Sequence, residues 1–156
     1  MDRLPQTRSC FACGKNNPHG LNLAFQTDGS QVLATWIPQA QHTGFTDMIH
    51  GGIIATVLDE IMAWTCGVIG GRFAYSVDLN IRYSSPLRPG DTVLGFGAIE
   101  KNRRSKIFHT RARIVVNNTE IAAAGGKYLA IKELAEASLW ADFGEDAAAL
   151  RDLRAG

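Results

Sequence analysis

Within residues 1–132 a single stretch, 52–66, is apolar over helical length, and it is flanked by segments that alternate apolar and polar residues. One helix among strands must bury its apolar side on a sheet, because no second helix is there to receive it. LNLAFQTDGSQVLATWIP (21–38) alternates on both sides of Asp28-Gly29, the pattern of a hairpin. Residues 39–51 read as a loop, and the helix ends near Gly67, with Gly70-Gly71 as the break. Four strands are predicted after it, at 73–83, 92–101, 107–116 and 120–131, joined by turns at Ser84-Ser85-Pro86 through Asp91, and at Asn117-Asn118. Consecutive strands with short turns predict an antiparallel meander. The expected fold class is α+β, with an antiparallel curved sheet wrapped around a long central helix; a barrel with the helix plugging its mouth is the alternative. Residues 1–132 form the domain on this reading. The tail, 133–156, is rich in Ala, Leu and Glu and predicts one or two short helices.

Composition narrows the function. The chain has 156 residues, 20% of them charged, 46% hydrophobic, and a formal net charge of +1, which suits one globular domain and gives no support for nucleic-acid or anionic-membrane binding. No apolar run reads as a membrane span, and MDRLPQTRSC lacks the apolar block of a secretory signal. Cys10, Cys13 and Cys66 leave an odd thiol, so the expected setting is a reducing cytoplasm.

Two acids, Asp59 and Glu60, stand in the middle of the apolar helix. At about 100° per residue, Ile53, Ile54, Val57, Leu58, Ile61, Met62 and Trp64 form a bulky side that should pack on the sheet. Gly52, Ala55, Thr56, Asp59, Ala63 and Cys66 form a narrow face of small side chains, with Asp59 at its centre. Glu60 falls at the boundary and is expected to reach solvent or a basic neighbour. The helix begins at His50-Gly51-Gly52 rather than at an ordinary cap, and free amides at such an end polarise a carbonyl or bind phosphate. From Gly52 to Asp59 is roughly 10 Å of helix, too far for one acyl carbon to touch both. If both act on one carbonyl, they come from two chains packed helix to helix.

His50-Gly51-Gly52 followed by Asp59, the neighbouring ATVLDE, the strand SVDLNIRYSSPLRPGD and the opening CFACGKNNPHGLNLAF together resemble the hotdog-fold acyl-CoA thioesterases, in particular the branch similar to the phenylacetate-pathway thioesterase. The resemblance covers nearly all of the chain up to about residue 132. It implies a hotdog fold, a homodimer or a tetramer built from two dimers, and hydrolysis of acyl-CoA thioesters with no cofactor and no metal. Asp59 would be the catalytic carboxylate, His50 and the Gly51 amide would polarise the thioester carbonyl with Gly52 beside them, and Ser76 would help orient water. The chain departs from some relatives at Gly44, where they carry Asn or Gln.

The basic segment KNRRSK (101–106) is either a solvated turn or a site for CoA phosphates, with Arg103, Arg104 and Lys106 as the candidate contacts. Phe45, Met48, Met62, Trp64 and Phe73 are candidates for the acyl pocket. Competing functions are a hotdog hydratase or dehydratase, whose HxPGxP approach is missing here, and a non-catalytic acyl-CoA or aromatic-ligand binding protein. Cys10, Cys13 and His19 have ligand spacing, but without a second CxxC they read as a buried reduced pair rather than a metal site. Asn117-Asn118-Thr119 reads as a turn.

Overall fold

The computed structural model describes the backbone of residues 1–155 and the side chains of all of these except 133–136 and 152–155. Seven strands form one antiparallel sheet: β1 (Asp2–Arg3), β2 (Ala24–Thr27), β3 (Val32–Trp36), β4 (Ala74–Tyr83), β5 (Val93–Arg103), β6 (Ile107–Val116) and β7 (Thr119–Ala130). The central helix α1 (Gly51–Val68) falls between β3 and β4, and α2 (Glu133–Phe143) and α3 (Ala147–Ala155) follow the sheet. The expected fold is present: a curved sheet with one long helix packed on it. Its two edges, β1 and β4, lie at opposite ends of the strand order β1-β2-β3-β5-β6-β7-β4, so it is an open sheet rather than the alternative barrel.

Turn chemistry sets the hairpins. Asp28 Oδ1 accepts from the Ser30 and Gln31 amides at 2.9 and 3.0 Å, and Gly29 sits at a φ of 84° that favours glycine. Asn117 and Asn118 both take positive φ, 47° and 64°, and turn β6 into β7 as their sequence predicted. The expected meander holds only for β5, β6 and β7. The strand β4 pairs with β7 instead of β5, Ala74 opposite Ala130 and Tyr83 opposite Ala122, because the chain crosses from β4 to β5 at the far side of the sheet. A two-residue strand, β1, was not predicted, and a 3-10 turn (Ala40–His42) interrupts the loop before α1.

The helix packs on β3 to β7 through Ile54, Val57, Leu58, Ile61, Met62 and Trp64, the bulky side predicted from the wheel, while Ile53 is only partly covered. Two glycines on β5 permit this close approach. A Cβ at Gly97 would lie 2.7 Å from Ile61 Cγ2 and collide with Thr65 Oγ1, and one at Gly95 would collide with Ile61 Cδ1. By length and composition α1 is apolar enough to cross a membrane, contrary to the reading of the bare sequence; half of it is buried within the fold. The tail is folded against the domain. Phe143 and Leu150 are buried, and Phe143 meets Trp64 edge to face at 5.8 Å between ring centroids. Gly156 lies outside the described residues.

The packing predicts that Gly97→Ala lowers the unfolding free energy by about 1–3 kcal/mol through overpacking. Gly125→Ala, where a new Cβ meets nothing nearer than Thr110 O at 4.0 Å, should stay near wild type. Urea denaturation of both variants checks the contrast.

Candidate active site

The helix start answers why glycines stand where a cap should be. His50 is itself the cap: its Nδ1 accepts from the Gly52 amide at 2.8 Å. A ring nitrogen that accepts an N–H carries no proton, so in the neutral ring the proton is on Nε2, and the exposed imidazole presents Nε2–H as a donor. The His50 carbonyl accepts from Ile53 and Ile54 at 2.9 and 3.2 Å. Gly51 therefore holds the first-turn amide that has no partner among the described residues, and Gly52, expected beside it as a substrate contact, has its amide engaged by His50. Tyr83 donates to the Gly51 carbonyl at 2.9 Å. The loop is anchored by bonds from His50 N to His42 O (2.9 Å) and from Ile49 N to Leu87 O (2.8 Å). Gly44 lies against the imidazole: a Cβ there would stand 3.0 Å from His50 Cδ2, so a longer side chain at this position must displace the ring or turn away from it.

Asp59 sits midway along the small-residue face, where Ala55, Thr56 and Ala63 are also half-buried and Gly52 is exposed. Cys66, expected on the same face, is buried. Thr56 turns its hydroxyl back to Gly52 O at 3.0 Å. The partner of Asp59 is Tyr128 of β7, whose buried hydroxyl donates to Asp59 Oδ1 at 2.6 Å. Burial first, and the adjacent carboxylate second, raise the Tyr128 pKa, which keeps this donor protonated. Sequence reading missed Tyr128. It stands two residues from Gly126 on an alternating strand, which marks its face as inward, and a buried phenol requires a partner; nothing local says which. Ser76 lies directly opposite Tyr128 in the β4–β7 register, beside a bulge, so both side chains stand on the helix-facing side.

Glu60 does not reach solvent or a base as expected. Part of its side chain is accessible, but its carboxylate turns onto the N-terminal loop, where Oε1 accepts from Trp64 Nε1 at 3.1 Å and lies 3.6 Å from Cys10 Sγ. Desolvation pushes its pKa up to about 8.

Arg103, Arg104 and Lys106 form the exposed β5–β6 turn, with Arg104 and Ser105 at φ of 54° and 51°. Lys106 O accepts from Ala130 N at 2.9 Å, which places the turn at the Ala74 end of β4. Gly51 is at the Tyr83 end, roughly 30 Å away at 3.3 Å per strand residue. His50 and Asp59 are themselves about 13 Å apart along α1. One chain thus joins Asp59 to Tyr128, with Ser76 opposite Tyr128 and the basic turn near that same end of β7, and keeps His50 with Gly51 apart from them. Of the acyl-pocket candidates, Met62, Trp64 and Phe73 are core, whereas Phe45 and Met48 are exposed in the loop leading to His50.

Residues 47–120 match the family model of the thioesterase superfamily. The match takes in 74 of the 156 residues, just under half of the chain. It contains His50, Asp59, Ser76 and the basic turn, but not Tyr128 or the N-terminal cysteine pair. Among curated relatives, acyl-coenzyme A thioesterase 13 of Mus musculus is 36% identical over 72 residues, 45% of this chain and 51% of that protein. The Homo sapiens protein of the same name is 31% identical over 80 residues, 50% and 56% of the two chains. The chain spans about half the length of these relatives. Among solved structures, the E. coli PaaI protein from the phenylacetic acid degradation operon superposes with a TM-score of 0.65 at 21% identity, covering 72% of this chain and 81% of that one. A Streptococcus mutans protein bound to acetyl-CoA gives 0.65 at 20%, covering 70% and 89%. These likenesses establish the hotdog fold.

Tyr128→Phe leaves Asp59 Oδ1 without its buried donor and should lower stability by about 1–2 kcal/mol at neutral pH. A chemical-denaturation midpoint equal to wild type would show that this hydrogen bond does not hold the carboxylate in place.

Proposed function

We propose that the protein hydrolyses acyl-CoA thioesters to the free acid and CoA, in an active site completed by two copies of the chain. The carrying observation is the placement of Asp59: a carboxylate held by a buried tyrosine on a half-open face of small residues, about 13 Å from the donors at the start of its own helix. Two such helices packed antiparallel along this face would set His50 and Gly51 of one copy across from Asp59 of the other. The unpaired edge of β4, with Tyr75 and Val77 exposed on it, supports pairing on the same side of the molecule. The likeness to acyl-coenzyme A thioesterases and to an acetyl-CoA-bound structure supports the substrate class.

In this reading His50 Nε2–H and the Gly51 amide donate to the thioester oxygen and stabilise the charge that grows there. Asp59 of the second copy either takes a proton from water as it attacks the carbonyl carbon or attacks directly, and Ser76 assists the water. The carbon–sulfur bond breaks and CoA leaves as the thiol. Phe45 and Met48 border the acyl group, and Arg103, Arg104 and Lys106 contact the CoA phosphates. Three free cysteines support a reducing, cytoplasmic setting. Solution mass measurement distinguishes a dimer from a tetramer built of two dimers.

Asp59→Asn should reduce kcat on a responsive acyl-CoA by about 10²–10⁴-fold with the circular dichroism unchanged. Near-normal turnover would defeat the assignment, and tight acyl-CoA binding without thiol release by the wild type would identify a binding protein instead. Mixing His50→Ala with Asp59→Ala subunits should restore part of the activity through hybrid dimers; an inactive mixture of exchanged subunits argues against a shared site. Replacing Arg103 and Arg104 with Ala should raise KM for CoA esters while leaving short thioesters that lack the nucleotide unaffected.

A further inference from the structure

The turn Cys10-Phe11-Ala12-Cys13-Gly14 takes no part in the hydrolytic reading and lies outside the superfamily segment. Its backbone is folded around sulfur. The Ala12 amide donates to Cys10 Sγ at 3.3 Å, and the Gly14 amide closes the turn on Cys10 O at 2.9 Å. A side chain at Gly14 would collide with that same carbonyl, so the tight turn admits only glycine. Amides of Lys15 and Asn16 bond back to Thr7 O and Arg8 O at 2.9 and 3.0 Å, fixing the loop on both sides of the thiols. From the opposite direction, α1 delivers the Glu60 carboxylate.

The three ligand atoms, Cys10 Sγ, Cys13 Sγ and a Glu60 oxygen, lie within 4.8 Å of one another. We propose that Cys10, Cys13 and Glu60 hold one zinc-like divalent ion, with two thiolates, one carboxylate oxygen and a water as the fourth ligand. Tetrahedral bonds of about 2.3 Å to sulfur and 2.0 Å to oxygen separate a sulfur from an oxygen ligand by roughly 3.5 Å. Cys10 Sγ and Glu60 Oε1 are 3.6 Å apart. Each ligand atom also has an outer partner of the kind that orients metal ligands. These are the Ala12 amide on Cys10, the Thr7 hydroxyl 3.3 Å from Cys13 Sγ, and the Trp64 indole N–H on Glu60.

Charge supplies the second argument. Among the described residues no Lys, Arg or His forms an ion pair with Glu60; the ion pairs are Lys15–Asp146 and Arg111–Glu100. An inward-turned carboxylate beside two thiols and no cation is costly to desolvate, and a dication removes that cost. Thiolate donors select zinc over magnesium or calcium, which take oxygen ligands. His19, whose spacing suggested a ligand, is exposed and stands outside the cluster; Glu60, distant in sequence, takes its place.

Such an ion would tie the N-terminal loop to the middle of α1, one residue from Asp59. The same loop already holds the tail through Arg8 N to Asp142 O at 3.0 Å and Ser9 N to the Asp142 carboxylate. The inference is independent of the thioesterase reading, and its test needs no activity measurement. Reduced full-length protein is titrated anaerobically with Co²⁺. The expected result is one equivalent bound, with an intense near-ultraviolet thiolate-to-cobalt band and visible bands of a tetrahedral ion, both displaced by Zn²⁺. Glu60→Gln should keep the sulfur band and weaken affinity at least about tenfold. Cys10→Ser/Cys13→Ser should abolish the band. Cobalt binding without a sulfur band, binding well below one equivalent, or equal affinity in the double Cys variant would overturn the site. The wild-type titration decides on its own if a variant does not fold.

Discussion

The fit of α1 against the glycines of β5 is the contact on which everything else is hung. With side chains missing at Gly95 and Gly97, Ile61 and Thr65 settle directly on strand backbone, and the helix lies low in the curve of the sheet. Ile54, Val57, Leu58, Ile61 and Met62 are then fully withdrawn from water, each worth about 1.5–3 kcal/mol in transfer free energy. The neighbouring face of the same helix, with Ala55, Thr56, Asp59 and Ala63, is left half-buried. Tyr128 reaches it from β7, and Asp59 is the group it meets.

Adjacent positions on a helix point about 100° apart, and the paired acids show what that angle does. Asp59 lies on the half-buried small-residue face with one strong hydrogen bond, while Glu60 is swung into the N-terminal loop among sulfur and indole N–H. Two residues of the same chemistry thus occupy different environments. The rigidity of α1 itself holds the His50 end and the Asp59 position a fixed distance apart.

Much of this was legible locally. Alternation located β2 to β7 to within a few residues, because a half-buried strand repeats every second residue wherever it lies. Asp28-Gly29 and Asn117-Asn118 announced their turns through backbone preferences that need no tertiary help. The bulky stripe of α1 announced its buried side. The position of β4 was not legible: antiparallel pairing with β7 or with β5 satisfies the same local pattern, and the choice is made by how the chain passes around the helix. Tyr128, Glu60 with Cys10, and the distance between the basic turn and His50 were hidden for the same reason.

By itself, then, the sequence determined the number and kind of most elements, the face that α1 buries and the motif beginning at His50, since periodicity, turn preference and helix geometry act over a few residues. Tertiary structure decided the strand order, the tyrosine that holds Asp59, the company kept by Glu60 and the distance of the basic turn from the start of α1. Those depend on which distant segments share a surface, and that is settled by closing the core rather than by any neighbour in the chain.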